Sequence, residues 1–138
     1  MGLSIPLSIG AAVARQDKQI LAVTGDGSLE LNIQELKTIS HYNLNIKLFV
    51  INNGGYVSMH NWQDVFFEGR RVDNPESSGE GTLNLPNIAK AFEIDYYKIS
   101  DYKSIDSDLK KIMSSSRPQF IEVLTDHKQK IYDAFKDY

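Results

Sequence analysis

The 138-residue chain contains no cysteine. Disulfides, thiolate catalysis and cysteine-ligated zinc are therefore excluded. A reducing compartment is compatible with this composition. No apolar run approaches the roughly 18 residues that a membrane-spanning helix needs. The first residues, Met1-Gly2-Leu3-Ser4-Ile5-Pro6, lack a basic stretch, so no signal peptide is read there. The cytoplasm is the default expectation. Excess positive charge is also lacking: the formal net charge is -3. A nucleic-acid partner, which favours a basic face, is not expected.

What is present is ordinary for a globular domain: 41% hydrophobic and 24% charged residues. The length suits one domain, residues 1–138. Short apolar runs stop at turn formers. Gln19 to Thr24, Ile46 to Ile51, Tyr96 to Ile99 and Phe120 to Leu124 read as buried strands. Between them lie helical periods. Pro6 to Ala14 has a small-residue face and opens on a proline suited to a first turn. Leu29, Ile33, Leu36 and Ile39 form a stripe, and so do Ile88, Ala91 and Phe92. Ile105, Leu109, Ile112 and Met113 form another, read as core, with Ser104 or Asp106 as a candidate cap. Strands alternating with helices predict an α/β fold: a three-layer α/β/α sandwich around a mainly parallel sheet. The irregular stretch Phe67 to Pro86 is long enough to suggest a functional loop.

Ligands in such sheets bind beyond the carboxyl ends of the strands. Two strand ends carry unusual chemistry. At the first, Thr24-Gly25-Asp26-Gly27-Ser28, the glycines permit close approach of a ligand. Exposed N–H groups ahead of a helix expected from Leu29 make an anion site, with Ser28 as a hydroxyl donor. A lone carboxylate, Asp26, suits such a turn if Mg²⁺ bridges it to phosphates. The second turn, Asn52-Asn53-Gly54-Gly55-Tyr56, offers an amide oxygen and backbone carbonyls as neutral hard ligands. Each turn alone is common structural punctuation. Glu30 stands where a third glycine would complete a dinucleotide fingerprint, and no Walker A lysine follows.

Together the turns say more. Gly25-Asp26-Gly27, then 24 residues, then Asn52-Asn53 resembles the motif of thiamine diphosphate (ThDP) enzymes. Met1 to Ala12, Asn32-Ile33-Gln34-Glu35-Leu36, Tyr42 to Lys47 and Ile121-Glu122-Val123 are similar to acetolactate synthases and related decarboxylases. The resemblance implies the C-terminal diphosphate-binding domain of a ThDP enzyme. It implies Mg²⁺ held by Asp26, Asn53 and the Gly55 carbonyl. Met1, Gly25, Gly27, Ser28 and Tyr56 join these as cofactor-binding positions, with Met1 where a bulky residue props the bent cofactor. No residue here is implied as catalytic. The activating glutamate belongs to a pyrimidine-binding domain, of the same or another chain, that no segment here resembles. The chain therefore reads as a carboxyl-terminal piece, inactive alone, of a homo-oligomeric enzyme.

The implied activity is decarboxylation of pyruvate or a similar 2-oxo acid and transfer of the two-carbon unit to a carbonyl acceptor. Asn53-Gly54-Gly55-Tyr56 departs from the continuation common in biosynthetic acetolactate synthases, and Tyr56 to Gln63 and Phe66-Phe67-Glu68-Gly69 are similar to relatives from polysaccharide gene clusters, so transfer to a keto sugar is an alternative. A noncatalytic phosphate-binding domain and an assembly piece of a split enzyme are others. His60 and Trp62 are candidates for the substrate pocket or for surface packing. His41 is expected at a helix end, His127 in solvent, and Arg70 and Arg71 in solvent or against an anionic substrate.

Overall fold

The computed structural model describes residues 1–70 and 83–126. Along the chain run α1 (Ser4–Ala14), β1 (Ile20–Gly25), α2 (Asp26–Glu30), a 3-10 turn (Ile33–Glu35) and α3 (Leu36–His41). Then follow β2 (Ile46–Asn52), α4 (Val57–Phe66), α5 (Leu85–Ala91), β3 (Asp95–Ile99), α6 (Ile105–Ser114) and β4 (Gln119–Leu124). The strands pair in the order β1-β2-β4-β3, and every pairing is parallel. The four apolar runs of the sequence are these four strands.

Register assigns the faces. Ala22, Leu48, Val50 and Phe120 share a buried cluster with Ile5 and Ala12 of α1, Leu36 and Ile39 of α3, and Leu85 and Ala89 of α5. On the other face, Ile99 and Ile121 pack with Ile112 of α6, joined by Phe49, Tyr97, Leu109 and Val123. Helices on both faces make three layers. Connection direction explains the split. The steps β1 to β2 and β2 to β3 run one way across the sheet, with α3 and α5 on one face. The step β3 to β4 runs back, and a right-handed crossover then requires α6 on the other face. All four strands thus point their carboxyl ends to one edge.

Three helical readings need correction. The Leu29 to Ile39 stripe is not one helix. It breaks at Asn32 (φ -143°, ψ 33°), whose side-chain amide donates to the Gly2 carbonyl at 2.6 Å. A long-range bond here displaces the local helical pattern. In α5 the inward face is Leu85 and Ala89, with Ile88 and Phe92 beside them, while Ala91 is exposed. In α6 Ile112 is the core residue, Leu109 packs beside it, and Ile105 and Met113 are largely exposed. Ser104 occupies the N-cap position without a capping bond; its hydroxyl donates to Asp108 Oδ2 at 2.8 Å.

Two smaller features tie the layers. α1 begins at Ser4, two residues before the proline, and the Ser4 hydroxyl donates to the Val23 carbonyl of β1 at 2.7 Å. Lys47 of β2 is fully buried. Its ammonium donates to Asn45 Oδ1 at 2.8 Å and to the Arg117 carbonyl, tying the start of β2 to the entry of β4.

Candidate functional site

The first turn forms because β1 ends at Gly25 and helix α2 begins at once with Asp26. The helix therefore starts three residues earlier than the sequence suggests. This puts the Asp26 carboxylate in a first helical turn, where backbone dipoles favour negative charge. Asp26 is 8% exposed. Its Oδ1 accepts the Gly27 N–H at 2.9 Å.

The second turn follows β2. Gly54 (φ 84°) and Gly55 (φ 110°) lie in the left-handed region that side chains disfavour. Their N–H groups consequently point back at the first turn. Gly54 and Gly55 donate to Asp26 Oδ2 at 3.0 and 2.8 Å. Tyr56 closes the junction: its hydroxyl donates to the Gly27 carbonyl at 3.0 Å, and its ring lies where a Gly27 side chain would be. Asp26 is thus the hinge pin of two turns that lie one crossover apart in sequence.

The Asn53 side chain reaches the same spot. The inward atom of its amide lies 2.9 Å from the Gly55 carbonyl oxygen and 3.3 Å from Asp26 Oδ1. With nitrogen inward, the amide donates to both. With oxygen inward, three oxygens face one another and a cation can sit among them. Among the described residues no group of three or more His, Cys, Asp or Glu could hold a metal ion. Neutral oxygens must therefore complete any metal set built on Asp26.

The chain start is clipped to the first turn. The Gly2 N–H donates to Ser28 Oγ at 2.8 Å, and the Gly2 carbonyl accepts from Asn32. Gly2 has φ 75° and little room for a Cβ, with Asn32 Nδ2 at 3.0 Å. Met1 is therefore held beside the turn, with an exposed side chain. Gly25, Asp26, Gly27, Ser28, Asn53, Gly55 and Tyr56 all lie at this one edge, beyond β1 and β2.

The remaining candidates separate. His60 is buried on α4, whereas Trp62 is exposed and stacks on Phe66 at 4.8 Å between ring centroids. His41 ends α3 and meets the Tyr42 ring edge-on. Arg70 is exposed. Arg71, His127 and most of the irregular stretch lie outside the described residues.

Sequence reasoning passed over a buried polar chain behind the second turn. Glu122 of β4 accepts from Asn52 Nδ2 at 2.7 Å and from the Tyr96 hydroxyl. Burial first, and then the Glu122 contact, holds the Tyr96 phenol well above its usual pKa. A carboxylate inside the apolar run Phe120 to Leu124 was the available signal.

The family model described as "Thiamine pyrophosphate enzyme, C-terminal TPP binding domain" matches residues 1–123. Acetolactate synthase 2 (chloroplastic) of Zea mays is 31% identical over 147 residues, covering 99% of this chain and 23% of that protein. The acetolactate synthase large subunit of Porphyra purpurea is 33% identical over 132 residues, covering 96% and 22%. The isozyme 1 large subunit of Escherichia coli K12 is 32% identical, covering 96% and 23%. The chain thus spans less than a quarter of the length of these relatives. In three dimensions it resembles the ThDP-dependent 4-hydroxybenzoylformate decarboxylase of Rhodococcus jostii RHA1. The TM-score is 0.78 at 22% identity, over 91% of this chain and 23% of that one.

Proposed function

Because the chain belongs to the thiamine pyrophosphate enzymes, as a C-terminal TPP-binding domain, we propose that it anchors the cofactor's diphosphate through Mg²⁺ held by Asp26, Asn53 and Gly55. The observation that carries this reading is the convergence of the Asn53 amide on Gly55 O and Asp26 Oδ1, at 2.9 and 3.3 Å. Octahedral Mg²⁺ with bonds of roughly 2.1 Å has neighbouring ligands about 3 Å apart. The residues present therefore fit the ion. Asp26 supplies the one charge; Asn53 and the Gly55 carbonyl supply neutral oxygens. Phosphate oxygens and water complete such a set.

The chain's own part is binding and orientation. Asp26 braces both turns through its three backbone N–H bonds, so the ligand edge is set before the ion arrives. Gly25 adds no side chain to the first turn, and Gly27 leaves room there for the Tyr56 ring. Ser28 places its hydroxyl beside it, and Met1 lies where a side chain can support the cofactor. When bound, ThDP supplies the carbanion-stabilising chemistry, and the protein supplies orientation and electrostatics.

The complete protein, on this reading, decarboxylates a 2-oxo acid such as pyruvate and passes the two-carbon unit to a carbonyl acceptor. The relatives named acetolactate synthase support that class. A pyrimidine-binding domain, from the same or another chain of an oligomer, is the required partner. Leu21 and Val23, exposed side by side on the face of β1 opposite Ala22, give such a partner a surface to cover.

Calorimetry of ThDP binding with and without Mg²⁺ tests the site. Asp26→Ala and Asn53→Ala are each expected to lose Mg²⁺-dependent binding. Wild-type affinity in both variants would sink the metal assignment.

A further inference from the structure

Glu122 is a carboxylate only 4% exposed, in the middle of the sheet and on its main core face. Among the described residues both of its donors are neutral: Asn52 Nδ2 at 2.7 Å and the Tyr96 hydroxyl. Burying a carboxylate among neutral donors is costly, so a purely apolar residue would serve packing better. What the carboxylate does is visible one bond further on.

An asparagine amide can turn either end to a neighbour, and the neighbour decides which. Ionised Glu122 only accepts, so it must receive the NH₂ end of Asn52. The Asn52 oxygen then has to point the other way, where it accepts the Gly54 N–H at 3.2 Å. That N–H also donates to Asp26 Oδ2 at 3.0 Å. The single Gly54 N–H is therefore shared between two acceptors, Asp26 Oδ2 and Asn52 Oδ1, which together fix its direction. The Asn52 carbonyl is fixed as well, accepting the Thr125 N–H at 3.0 Å. Gly54 and Gly55 need this hold, because both sit in the left-handed region where a glycine has wide freedom. The direction of the Gly55 carbonyl follows from those two residues together with the Val57 N–H, which donates to it at 2.9 Å.

We propose that Glu122, acting through Asn52, is a positioning residue that holds the Gly54–Gly55 turn in the conformation that presents the Gly55 carbonyl to the ion. This rests on the reading of Asp26, Asn53 and Gly55 as the Mg²⁺ set. Tyr96 occupies the second carboxylate oxygen and keeps Glu122 from swinging away from Asn52.

Mg²⁺ demands near-ideal octahedral geometry, whereas Ca²⁺ tolerates irregular sets. A loosened turn therefore penalises Mg²⁺ more than Ca²⁺, which a merely structural defect does not do. The test measures Mg²⁺ and Ca²⁺ affinities in the presence of ThDP for Glu122→Leu, Glu122→Gln, Asn52→Ala and Asp26→Ala. Glu122→Leu and Asn52→Ala are expected to weaken Mg²⁺ by about 10- to 100-fold, as losses behind a metal ligand do, with a smaller loss for Ca²⁺. Glu122→Gln should stay near wild type: its oxygen still accepts from Asn52, and the Tyr96 hydroxyl rotates to accept from the new NH₂. Without metal or cofactor, amide exchange at Gly54 should speed up in Glu122→Leu and Asn52→Ala and not in Glu122→Gln.

Asn52 lies at the strand end rather than in the core, so Asn52→Ala carries the test if Glu122→Leu fails to fold. Wild-type Mg²⁺ affinity in Asn52→Ala, with binding lost in Asp26→Ala, overturns the positioning role and leaves the metal site standing. So does an equal fall for both ions. Wild-type affinity in Asp26→Ala overturns the metal reading, and the positioning role with it.

Discussion

Gly27→Ala sets two effects of known size against each other. A Cβ at Gly27 would lie 2.5, 2.8 and 2.9 Å from Cε1, Cδ1 and Cζ of Tyr56. Those distances are too short to persist, so the ring must move. Overpacking of this kind costs about 1–3 kcal/mol. Moving the ring also strains the Tyr56 hydroxyl bond to the Gly27 carbonyl, worth about 1 kcal/mol. On the other side, alanine is favoured over glycine in a helix by up to about 1 kcal/mol. The clash wins, and the variant should be less stable by about 1–3 kcal/mol. The three nearest atoms all belong to one ring, so Tyr56→Ala removes the closest clashes. In that background Gly27→Ala should change sign and stabilise by up to about 1 kcal/mol. Urea denaturation of the four members of this cycle measures both numbers. Other contacts of Tyr56 cancel in the cycle. Gly27→Ala as stable as wild type, or a cycle that is additive, would refute the idea that the glycine exists to admit the Tyr56 ring.

Two further outcomes follow from the backbone and the core. Glu93 is exposed and holds φ 58° just after α5. Glu93→Gly should therefore raise stability by about 1 kcal/mol, read from urea midpoints; a lower midpoint contradicts this. Burial holds the Lys47 ammonium below its usual pKa of 10.5, with Asp95 opposing. The folded state therefore binds that proton less well than the unfolded chain does. The cost is complete below the lowered folded value and is relieved as pH rises from there to 10.5. Wild type should gain stability relative to Lys47→Met between pH 7 and 10, and a gap that is flat or moves the other way refutes it.

How much of this was legible depended on the range of each interaction. The strands were legible as short apolar runs; the expected burial holds for β2 and β4, whereas β1 leaves Leu21 and Val23 exposed on one face. Gly25 and Asn52 stop β1 and β2 sharply. The two turns were legible for the same reason, and the fold then brought them together through Asp26. The break at Asn32 was not. Its cause is a bond to Gly2, 30 residues away, and no local pattern encodes that. The burial of Lys47 had no local signal, because one of its two acceptors, the Arg117 carbonyl, lies 70 residues on. Glu122 was visible only as a charge in an apolar strand. Its meaning needed Asn52 and Tyr96, which come from the two neighbouring strands.

The central carboxylate has two roles that a single substitution confounds. Asp26 Oδ2 accepts two N–H groups from the second turn, and Oδ1 accepts one from the first. Removing it frees both turns as well as deleting a charge. A loss of Mg²⁺ in Asp26→Ala is therefore compatible with a ligand role, a bracing role, or both. Asn53 is different. Among the described bonds none runs from a backbone N–H to its side chain, yet that side chain faces both Asp26 Oδ1 and the Gly55 carbonyl. Truncating it removes the amide and leaves the three backbone N–H bonds to Asp26 in place. Asn53 thus reports the ligand role, Asn52 reports the bracing role, and Asp26 reports their sum. The order of Mg²⁺ affinities across the three variants separates the ion's contacts from the scaffold that holds them.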